Sequence, residues 1–294
     1  MKRTRGEKIF GVFNAVMMIL FMALVLYPFL NVAAVAFNDG VDAMRGGIYI
    51  WPRKFSMKAF TTVFERSNIG TALFNSVART AITTPLSLLF TAGLSFIFSH
   101  RDLVGRRIFM FIFVFTMYFG GGMVPRYLLM RDLGLLDTYA SMILPGFISA
   151  YNLVIMRNYF QSLPEEIEES CLIDGAGRLR IFLQFVLPLS KPILATVALW
   201  LVVGHWNSWF DVLIYITDDT KFTLQIVLRR IIITGSKEIL DTSAAANAAE
   251  MESVVSSEGL KAACIFVTTL PILCAYPFVQ KFFVKGIMIG SLKG

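Results

Sequence analysis

The chain has 294 residues, of which 56% are hydrophobic and only 16% are charged, and its mean hydropathy is +0.67. A soluble domain is about half apolar and about one-quarter charged, so this composition excludes an ordinary soluble domain and indicates a membrane protein. The formal net charge of +7 comes without an aromatic–basic motif. This pattern argues against nucleic-acid binding and favours contact with anionic lipid headgroups.

The first apolar run follows a basic tail and extends from Ile9 to Phe37. It is too long for the apolar core of a signal peptide, which spans roughly 7–15 residues, so we interpret it as an uncleaved transmembrane helix. The later apolar runs are Ala72–Phe98, Phe109–Met130, Tyr139–Tyr159, Ile193–Ile216 and Leu260–Phe283. Each is near or above the roughly 20 residues that cross hydrocarbon. The sequence therefore predicts an all-α integral membrane protein with six transmembrane helices.

The charges near these runs suggest an orientation. The tail contains Lys2, Arg3, Arg5 and Lys8, which predicts that both termini face the cytoplasm. The long segments of about 38–70 and 217–259 then lie outside, as interfacial helices or as surfaces for an external partner. Arg79 lies inside the second run, and we expect it to snorkel to the interface rather than to face the bundle interior.

Residues that commonly bind metals, phosphates or reacting groups are sparse. The cysteines and histidines are Cys171, Cys264, Cys274, His100 and His205. No C-x-x-C pair, multi-histidine cluster or Walker A motif occurs, so neither a metal centre nor ATP binding by this chain is expected. The glycines Gly120–Gly122 lack the lysine of a phosphate-binding loop and predict a kink or a close helix contact. We therefore expect a non-catalytic chain without cofactors of its own.

An acidic loop, defined here as residues 162–192, connects the fourth and fifth apolar runs. Ser162 is a suitable N-cap and Pro164 suits a first helical turn, which is followed by several glutamates that complement the helix dipole. Gly175 can adopt the positive φ that ends a helix. A second short helix is predicted from about residue 178 to 186, ended by Pro188. This pattern predicts a rigid helix–turn–helix that projects from the membrane.

The loop also carries a recognisable motif. Residues 169–176 have the sequence ESCLIDGA and residues 187–189 the sequence LPL. Together they resemble the E-A-A loop of permeases in binding-protein-dependent ABC importers, with Ser170 and Cys171 in place of the two alanines. The carbohydrate-uptake, maltose-permease-like branch of that family is similar at Asn75-Ser76, Gly134-Leu135-Leu136 and Gln280–Gly286. The final nine residues, Gly286–Gly294, are similar to its complex-oligosaccharide permeases.

The resemblance implies a type I ABC importer permease fold with a cytoplasmic coupling helix, located in the bacterial inner membrane. The implied partners are a second, related permease, two cytoplasmic ATPases that bind ATP and Mg, and an external solute-binding protein. The residues to which it assigns ATPase coupling are Glu169, Ser170, Cys171, Asp174, Gly175, Ala176, Leu187 and Pro188. The corresponding domain prediction is an N-terminal helix and external segment over 1–70, a permease core over 71–285 and a tail over 286–294.

The substrate path is less sharply defined by the sequence. Aromatic rings stack on sugars and amides bond their hydroxyl groups, and candidate residues for both are Trp206, Asn207, Trp209, Tyr118 and Asn152, with Phe210 and Tyr151 beside them. The commoner role for such aromatics is an interfacial belt or core packing, and that alternative stays open. The resemblance suggests an oligosaccharide, with uronate-rich and plant polysaccharides as possible sources.

The alternative functions are those of an ion-coupled secondary transporter and of a membrane-embedded enzyme. An ion-coupled secondary transporter needs ionisable groups within its transmembrane helices, and Arg79 and Asp211 are the obvious candidates, although the sequence does not pair them. A membrane-embedded enzyme needs a clustered acid, base or metal set, and Asp211 near His205 does not form one.

Overall fold

The computed structural model describes residues 4–65, 68–243 and 255–291 of the chain. These residues form helices and loops, with an isolated backbone bridge between Asn38 and Phe55 and no strand, so the all-α prediction is confirmed. Lys2, Arg3, Arg66, most of the alanine-rich segment near residue 250 and the last three residues of the predicted tail lie outside the described residues.

The α-helices are α1 (Arg5–Ala36), α2 (Gly40–Met44), α3 (Lys58–Glu65), α4 (Ile69–Ser99), α5 (Arg106–Tyr118), α6 (Met123–Asp132), α7 (Tyr139–Ile143), α8 (Ala150–Phe160), α9 (Glu165–Ile173), α10 (Arg178–Ile181), α11 (Leu187–Leu189), α12 (Lys191–Asn207), α13 (Phe210–Tyr215), α14 (Leu224–Ser243) and α15 (Ser257–Ser291). A π-helical turn, Phe182–Val186, joins α10 to α11, and 3₁₀ turns occupy Leu144–Gly146 and Asp219–Lys221.

Three of these helices, α1, α4 and the start of α15, are individually long and apolar enough to cross a membrane. Three further candidates are pairs of helices joined at a bend, so the described residues provide up to 6 spans if each bent pair counts as one. The bends measure 114° between α5 and α6, 50° before α8, and 83° between the end of α11 and α12. The helices that match the predicted first, second and sixth spans are thus unbroken, whereas the other three are interrupted.

The third and fifth predicted spans are interrupted by short breaks. In the third, Phe109–Met130, the helix stops at Tyr118 and restarts at Met123, and Gly122 has a φ of 84°. Glycine tolerates that conformation, and the kink predicted at Gly120–Gly122 is confirmed. In the fifth, Ile193–Ile216, α12 ends at Asn207 and α13 begins at Phe210, because Ser208 adopts an extended conformation.

Helix α4 carries a row of buried polar side chains along an otherwise apolar sequence. The row consists of Asn75, Ser76, Arg79, Thr80, Thr83, Thr84, Ser87, Thr91 and Ser95. Small polar residues permit close helix packing in membranes and hydrogen bonds across helices. One such bond runs from the Ser95 hydroxyl to the carbonyl oxygen of Leu153, at 3.0 Å. The prediction that Arg79 snorkels is wrong, since its side chain is only 4% exposed.

The chain forms two compact units, and the first comprises residues 1–69 and 227–271. Within it, the segment after α1 is fixed by side-chain bonds. The Asn31 amide donates to the carbonyl oxygen of Ile48 at 2.7 Å, and the Arg53 guanidinium pairs with Asp42 at 3.0 Å. A hydrogen bond from Asn38, followed by the Arg53 interaction, holds the pKa of Asp42 below its usual value. The predicted external segment of about 38–70 therefore contains ordered short helices, α2 and α3.

The second unit comprises residues 70–226 and 272–294. A loop of this unit is built on Asp137 and Asp218. The backbone N–H groups of Thr217 and Asp218 donate to the Asp137 carboxylate at 3.1 and 3.0 Å. Hydrogen bonds from Thr220, and then from Lys221, lower the pKa of Asp218 to about 2. The Asn75 amide donates to the carbonyl oxygens of Thr220 and Phe222, which attaches this loop to α4.

The hydrophobic core of the second unit lies where α4, α8 and α12 meet the acidic loop. Its buried members are Ala92, Phe96, Met156, Phe160, Cys171, Ile181, Phe182, Val186, Val197 and Leu201. The loop is therefore packed onto the transmembrane helices by several buried side chains rather than attached at its ends alone. The predicted domain divisions at 70/71 and 285/286 stay a prediction.

Candidate functional site

Helix α9 begins at Glu165, near the start of the acidic loop. Pro164 is the N-cap and no side chain caps the helix. The Ser162 hydroxyl instead donates to the carbonyl oxygen of Tyr159 at 2.7 Å, so the prediction that Ser162 is the N-cap is wrong. Proline needs no partner for its missing N–H group, and the three acidic residues of the first turn, Glu165, Glu166 and Glu168, favour the positive end of the helix.

The end of α9 is closed by a glycine turn. Gly175 has a φ of 78°, which confirms the predicted left-handed conformation. The N–H of Ala176 donates to the carbonyl oxygen of Cys171 at 2.9 Å, and the N–H of Gly175 donates to that of Leu172 at 3.0 Å. This pair of bonds is the Schellman motif, which satisfies the last carbonyl groups of a helix. The turn thus fixes the direction in which the chain leaves α9 at Asp174.

The two faces of α9 differ sharply. Cys171 is 6% exposed and lies in the core cluster, and Ala176 packs against the same cluster. Glu169, Ser170 and Asp174 are exposed. Ile173, at the end of the helix, is 85% exposed. A helix with a packed face and a free face that is both acidic and apolar has the character of a protein-docking surface.

The segment after the glycine turn is one bent helical stretch. It continues from α10 through the π turn and α11 to Leu189, so the prediction that Pro188 stops the helix is wrong. Pro188 lies at the start of a new α-helical turn, where a missing N–H is tolerated, and the chain bends instead at Ser190. Leu187 is partly buried against the core cluster, whereas Pro188 is exposed.

Charged residues bridge the acidic loop and the end of α4, and sequence reasoning missed this set. Glu168 accepts from the His100 ring at 2.7 Å and from Arg178 at 3.2 Å, and Arg178 also pairs with Asp102 at 2.9 Å. These residues line a groove of about 420 Å³ between α9, α10 and the end of α4. Since 68 residues separate His100 from Glu168, no local pattern signals the contact.

The predicted substrate-path residues all lie at breaks between helices. Trp206 and Asn207 end α12, and Trp209 lies in the break before α13, with its ring edge-on to Phe210 at a centroid distance of 5.5 Å. Tyr118 is the last residue of α5, before the glycine break. Trp206, Asn207 and Trp209 are thus close because they are near neighbours in the chain, whereas Tyr118 lies at a different break.

The accessibility of these side chains is uneven. Trp206 and Asn152, in the first turn of α8, are each 6% exposed, while Tyr118 is 77% exposed. Asn207 is exposed, and its amide donates to the carbonyl oxygen of Val203 at 2.9 Å, which leaves its side-chain oxygen available to a ligand. Asn207 thus combines an exposed side chain with a free acceptor oxygen, whereas Trp206 and Asn152 are buried.

A buried ion pair supports the break between α12 and α13. The Arg79 guanidinium on α4 pairs with Asp211 on α13 and donates to the carbonyl oxygen of Met142 at 2.8 Å. The Ser208 hydroxyl donates to the second Asp211 oxygen at 2.7 Å. The pair thus joins three helices at the point where two of them are interrupted. The sequence identifies Arg79 and Asp211 as ionisable groups within the predicted spans but does not pair them, because 132 positions separate them.

The described residues contain no group of three histidine, cysteine, aspartate or glutamate side chains that could hold a metal ion. What the geometry does provide is a polytopic helical membrane protein with interrupted spans and a rigid, acidic, partly exposed loop packed onto its core. This combination defines a transport permease with a docking element for another protein.

Comparisons with known proteins identify the family. The family model described as the binding-protein-dependent transport system inner membrane component matches residues 69–288. The chain is 39% identical to Protein LplC of Bacillus subtilis (strain 168), with 100% of this chain and 98% of that protein aligned. It is also 39% identical to the polygalacturonan/rhamnogalacturonan transport system permease protein YtcP of the same organism, over 94% of this chain and 96% of that protein.

A solved structure agrees with these sequence matches. It is the crystal structure of a bacterial ABC transporter involved in the import of the acidic polysaccharide alginate. A chain of that structure is 31% identical, with a TM-score of 0.81, and the alignment covers 96% of this chain and 99% of that one. The chain therefore belongs to the family of binding-protein-dependent transport system inner membrane components.

Membership of this family decides between the alternative functions. The chain is a non-catalytic permease subunit of an ABC importer, in which separate subunits hydrolyse ATP, and it is an integral membrane protein. The ion-coupled transporter and the membrane-embedded enzyme are set aside, although Arg79 and Asp211 do form a pair within the membrane-spanning region.

Proposed function

We propose that this permease imports oligosaccharides that contain uronic acids. The observation that carries the proposal is its 39% identity, over 94% of the chain, to a permease named for polygalacturonan and rhamnogalacturonan. The similarity to an importer of alginate, another acidic polysaccharide, supports the same class. Galacturonate-containing chains and alginate share a carboxylate on the sugar ring, so the two relatives point to a common chemistry.

We further propose that α9 is the coupling helix, through which the permease receives work from an ATPase. Its free face offers carboxylates for charged contacts at Glu169 and Asp174, and apolar side chains at Leu172 and Ile173 for a cleft. Gly175 sets the turn, while Cys171 and Leu187 hold the loop on the core. In this role the small side chains of Ser170 and Ala176 allow the ATPase to approach α9 closely, and Pro188 restricts the backbone of the loop.

The proposal extends to the assembly. A second, related permease, two ATPases that bind ATP and Mg, and an external solute-binding protein complete the importer. The acidic loop and both termini of this chain face the cytoplasm in the inner membrane, as the basic N-terminal tail favours. The ordered segment with α2 and α3 then lies outside, on the side from which the binding protein delivers its solute.

The substrate class is tested with the reconstituted importer. In proteoliposomes with both permeases, the ATPases and the binding protein, tri-galacturonate is expected to raise ATP hydrolysis and to be taken up, whereas a neutral arabinotriose of the same length is not. The reason is that, in a site that binds a carboxylate, the polar groups that pair with it are left without a partner when a neutral analogue binds. Stimulation by the neutral sugar alone would contradict the proposal.

Asn207 is the sharpest test of the substrate path. Its replacement by alanine is expected to raise the KM for the oligosaccharide about fivefold, because one neutral hydrogen bond contributes about 1 kcal/mol. Asn158→Ala, an exposed asparagine near the end of α8, serves as the matched control and should leave the KM unchanged. An unaltered KM in both variants would remove Asn207 from the path.

A further inference from the structure

Three of the last four carbonyl groups of α4 accept hydrogen bonds from side chains. The carbonyl oxygen of Phe96 accepts from the His100 Nδ1 at 2.7 Å, that of Phe98 from the Arg157 Nε at 3.0 Å, and that of Ser99 from the Gln161 amide at 2.9 Å. Cationic donors are favourable at a helix C-terminus, where the dipole is negative. The last turn of α4 is therefore rigid, and His100 is part of what fixes it.

His100 also contacts the acidic loop. Its Nε2 lies 2.7 Å from the Glu168 carboxylate on α9, while its Nδ1 faces the Phe96 carbonyl oxygen. Both neighbours are hydrogen-bond acceptors. His100 thus contacts α4 through one ring nitrogen and α9 through the other. Its side chain is 14% exposed, so the contact with Glu168 is partly shielded from water.

Two further charged residues, Arg178 and Asp102, lie next to the His100–Glu168 contact. Arg178, at the start of α10, pairs with Glu168 on α9 at 3.2 Å and with Asp102, just after α4, at 2.9 Å. Asp102 and Arg178 are 66% and 51% exposed, and exposed pairs contribute little. The His100–Glu168 bond is accordingly the stronger connection.

Aromatic packing continues the connection below the charges. The His100 ring lies edge-on to Phe96 at a centroid distance of 4.6 Å, and Phe96 stacks on Phe182 at 5.2 Å. Phe96 and Phe182 are both buried in the core cluster. The π turn of the acidic loop and the last turn of α4 therefore form one packed layer, with His100 at its edge.

We propose that His100 is the positioning residue through which displacement of α9 reaches α4, and hence the row of polar residues and the Arg79–Asp211 pair on that helix. This proposal rests on the proposed coupling function of α9. The core cluster holds the loop on the transmembrane helices, and the His100–Glu168 bond adds a direct link along its outer edge, so that α4 follows α9 when an ATPase moves it.

The test uses the assembled importer in proteoliposomes. His100→Ala removes both bonds, whereas His100→Arg places several hydrogen-bond donors at the same position. In His100→Ala, the number of oligosaccharides carried per ATP hydrolysed is expected to fall about fivefold or more, in the range typical of coupling between sites, and His100→Arg should restore most of it. Asp132→Ala, which removes an exposed acid of α6, is the control and should leave the ratio unchanged.

The outcomes separate transmission from other roles. The proposal requires that the ATPases copurify with His100→Ala as with the unaltered chain, and that the thermal unfolding midpoint is retained in His100→Arg. Loss of ATPase binding would show a docking role and overturn it, and so would an unchanged transport ratio. If His100→Ala and Gly175→Val both leave the transport ratio unchanged, the proposed coupling function of α9 is rejected. If Gly175→Val lowers the ratio and His100→Ala does not, only the role of His100 is rejected.

Discussion

Replacing Gly175 by valine is expected to reduce ATP-driven uptake at least about tenfold while the protein remains inserted in the membrane. Gly175 has a φ of 78°, and a β-branched residue in that region costs about 1–3 kcal/mol. The chain would relieve the strain by changing the turn, which breaks the two bonds that close α9. With the turn changed, the chain leaves α9 at a different angle, and movement of α9 is no longer transmitted to the transmembrane helices. Uptake of labelled oligosaccharide and ATP hydrolysis, measured on the same proteoliposomes, check the result.

Gly177→Val is the matched control for this substitution. Gly177 lies two residues further on, has a φ of −69°, and an added Cβ would meet no atom within 4 Å. Valine is therefore tolerated there, and transport should be nearly unchanged. Equal transport by Gly175→Val and the unaltered chain would contradict the role given to the turn.

The second large effect is expected from the buried ion pair. Asp211→Ala leaves the Arg79 guanidinium, whose side chain is 4% exposed, without its carboxylate. Removing one partner of a buried pair costs about 3–5 kcal/mol, because the other charge stays uncompensated. The free energy of unfolding, measured by SDS titration in mixed micelles, should fall by about that amount, and the break between α12 and α13 should lose its support.

Two comparisons make this result specific. The double variant Arg79→Met/Asp211→Leu removes both charges and is expected to be clearly more stable than Asp211→Ala alone. In the exposed pair Arg131–Asp132, with side chains 56% and 63% exposed, Asp132→Ala should cost less than about 1 kcal/mol. If Asp211→Ala were no more damaging than Asp132→Ala, the pair would not be a structural element of the permease.

The parts of the site that sequence reasoning predicted correctly are those determined by near neighbours in the chain. The turn at Gly175 depends on a handful of consecutive residues, and the break at Gly120–Gly122 on three glycines, so each is visible as a local pattern. The start of α9 failed because two residues competed: Ser162 is a good cap by type, but Pro164 follows it closely and takes the N-cap position itself.

The parts that were missed depend on tertiary packing. The partner of Arg79 is 132 positions away and that of His100 is 68 positions away, and only the arrangement of the helices brings them together. The helix also continues past Pro188 for a tertiary reason: the π turn before it keeps Phe182 and Val186 both in the core, and Pro188 enters at a position where no N–H is needed.

Cross-linking at position 169 tests the coupling function most directly. A photoreactive amino acid in place of the exposed Glu169, introduced into the fully assembled importer, is expected to form a covalent adduct with the ATPase. The same group in place of Trp51, which is 82% exposed on the segment predicted to be external, should give none. An active complex in which position 169 reacts with water or lipid, and never with the ATPase, would contradict the account.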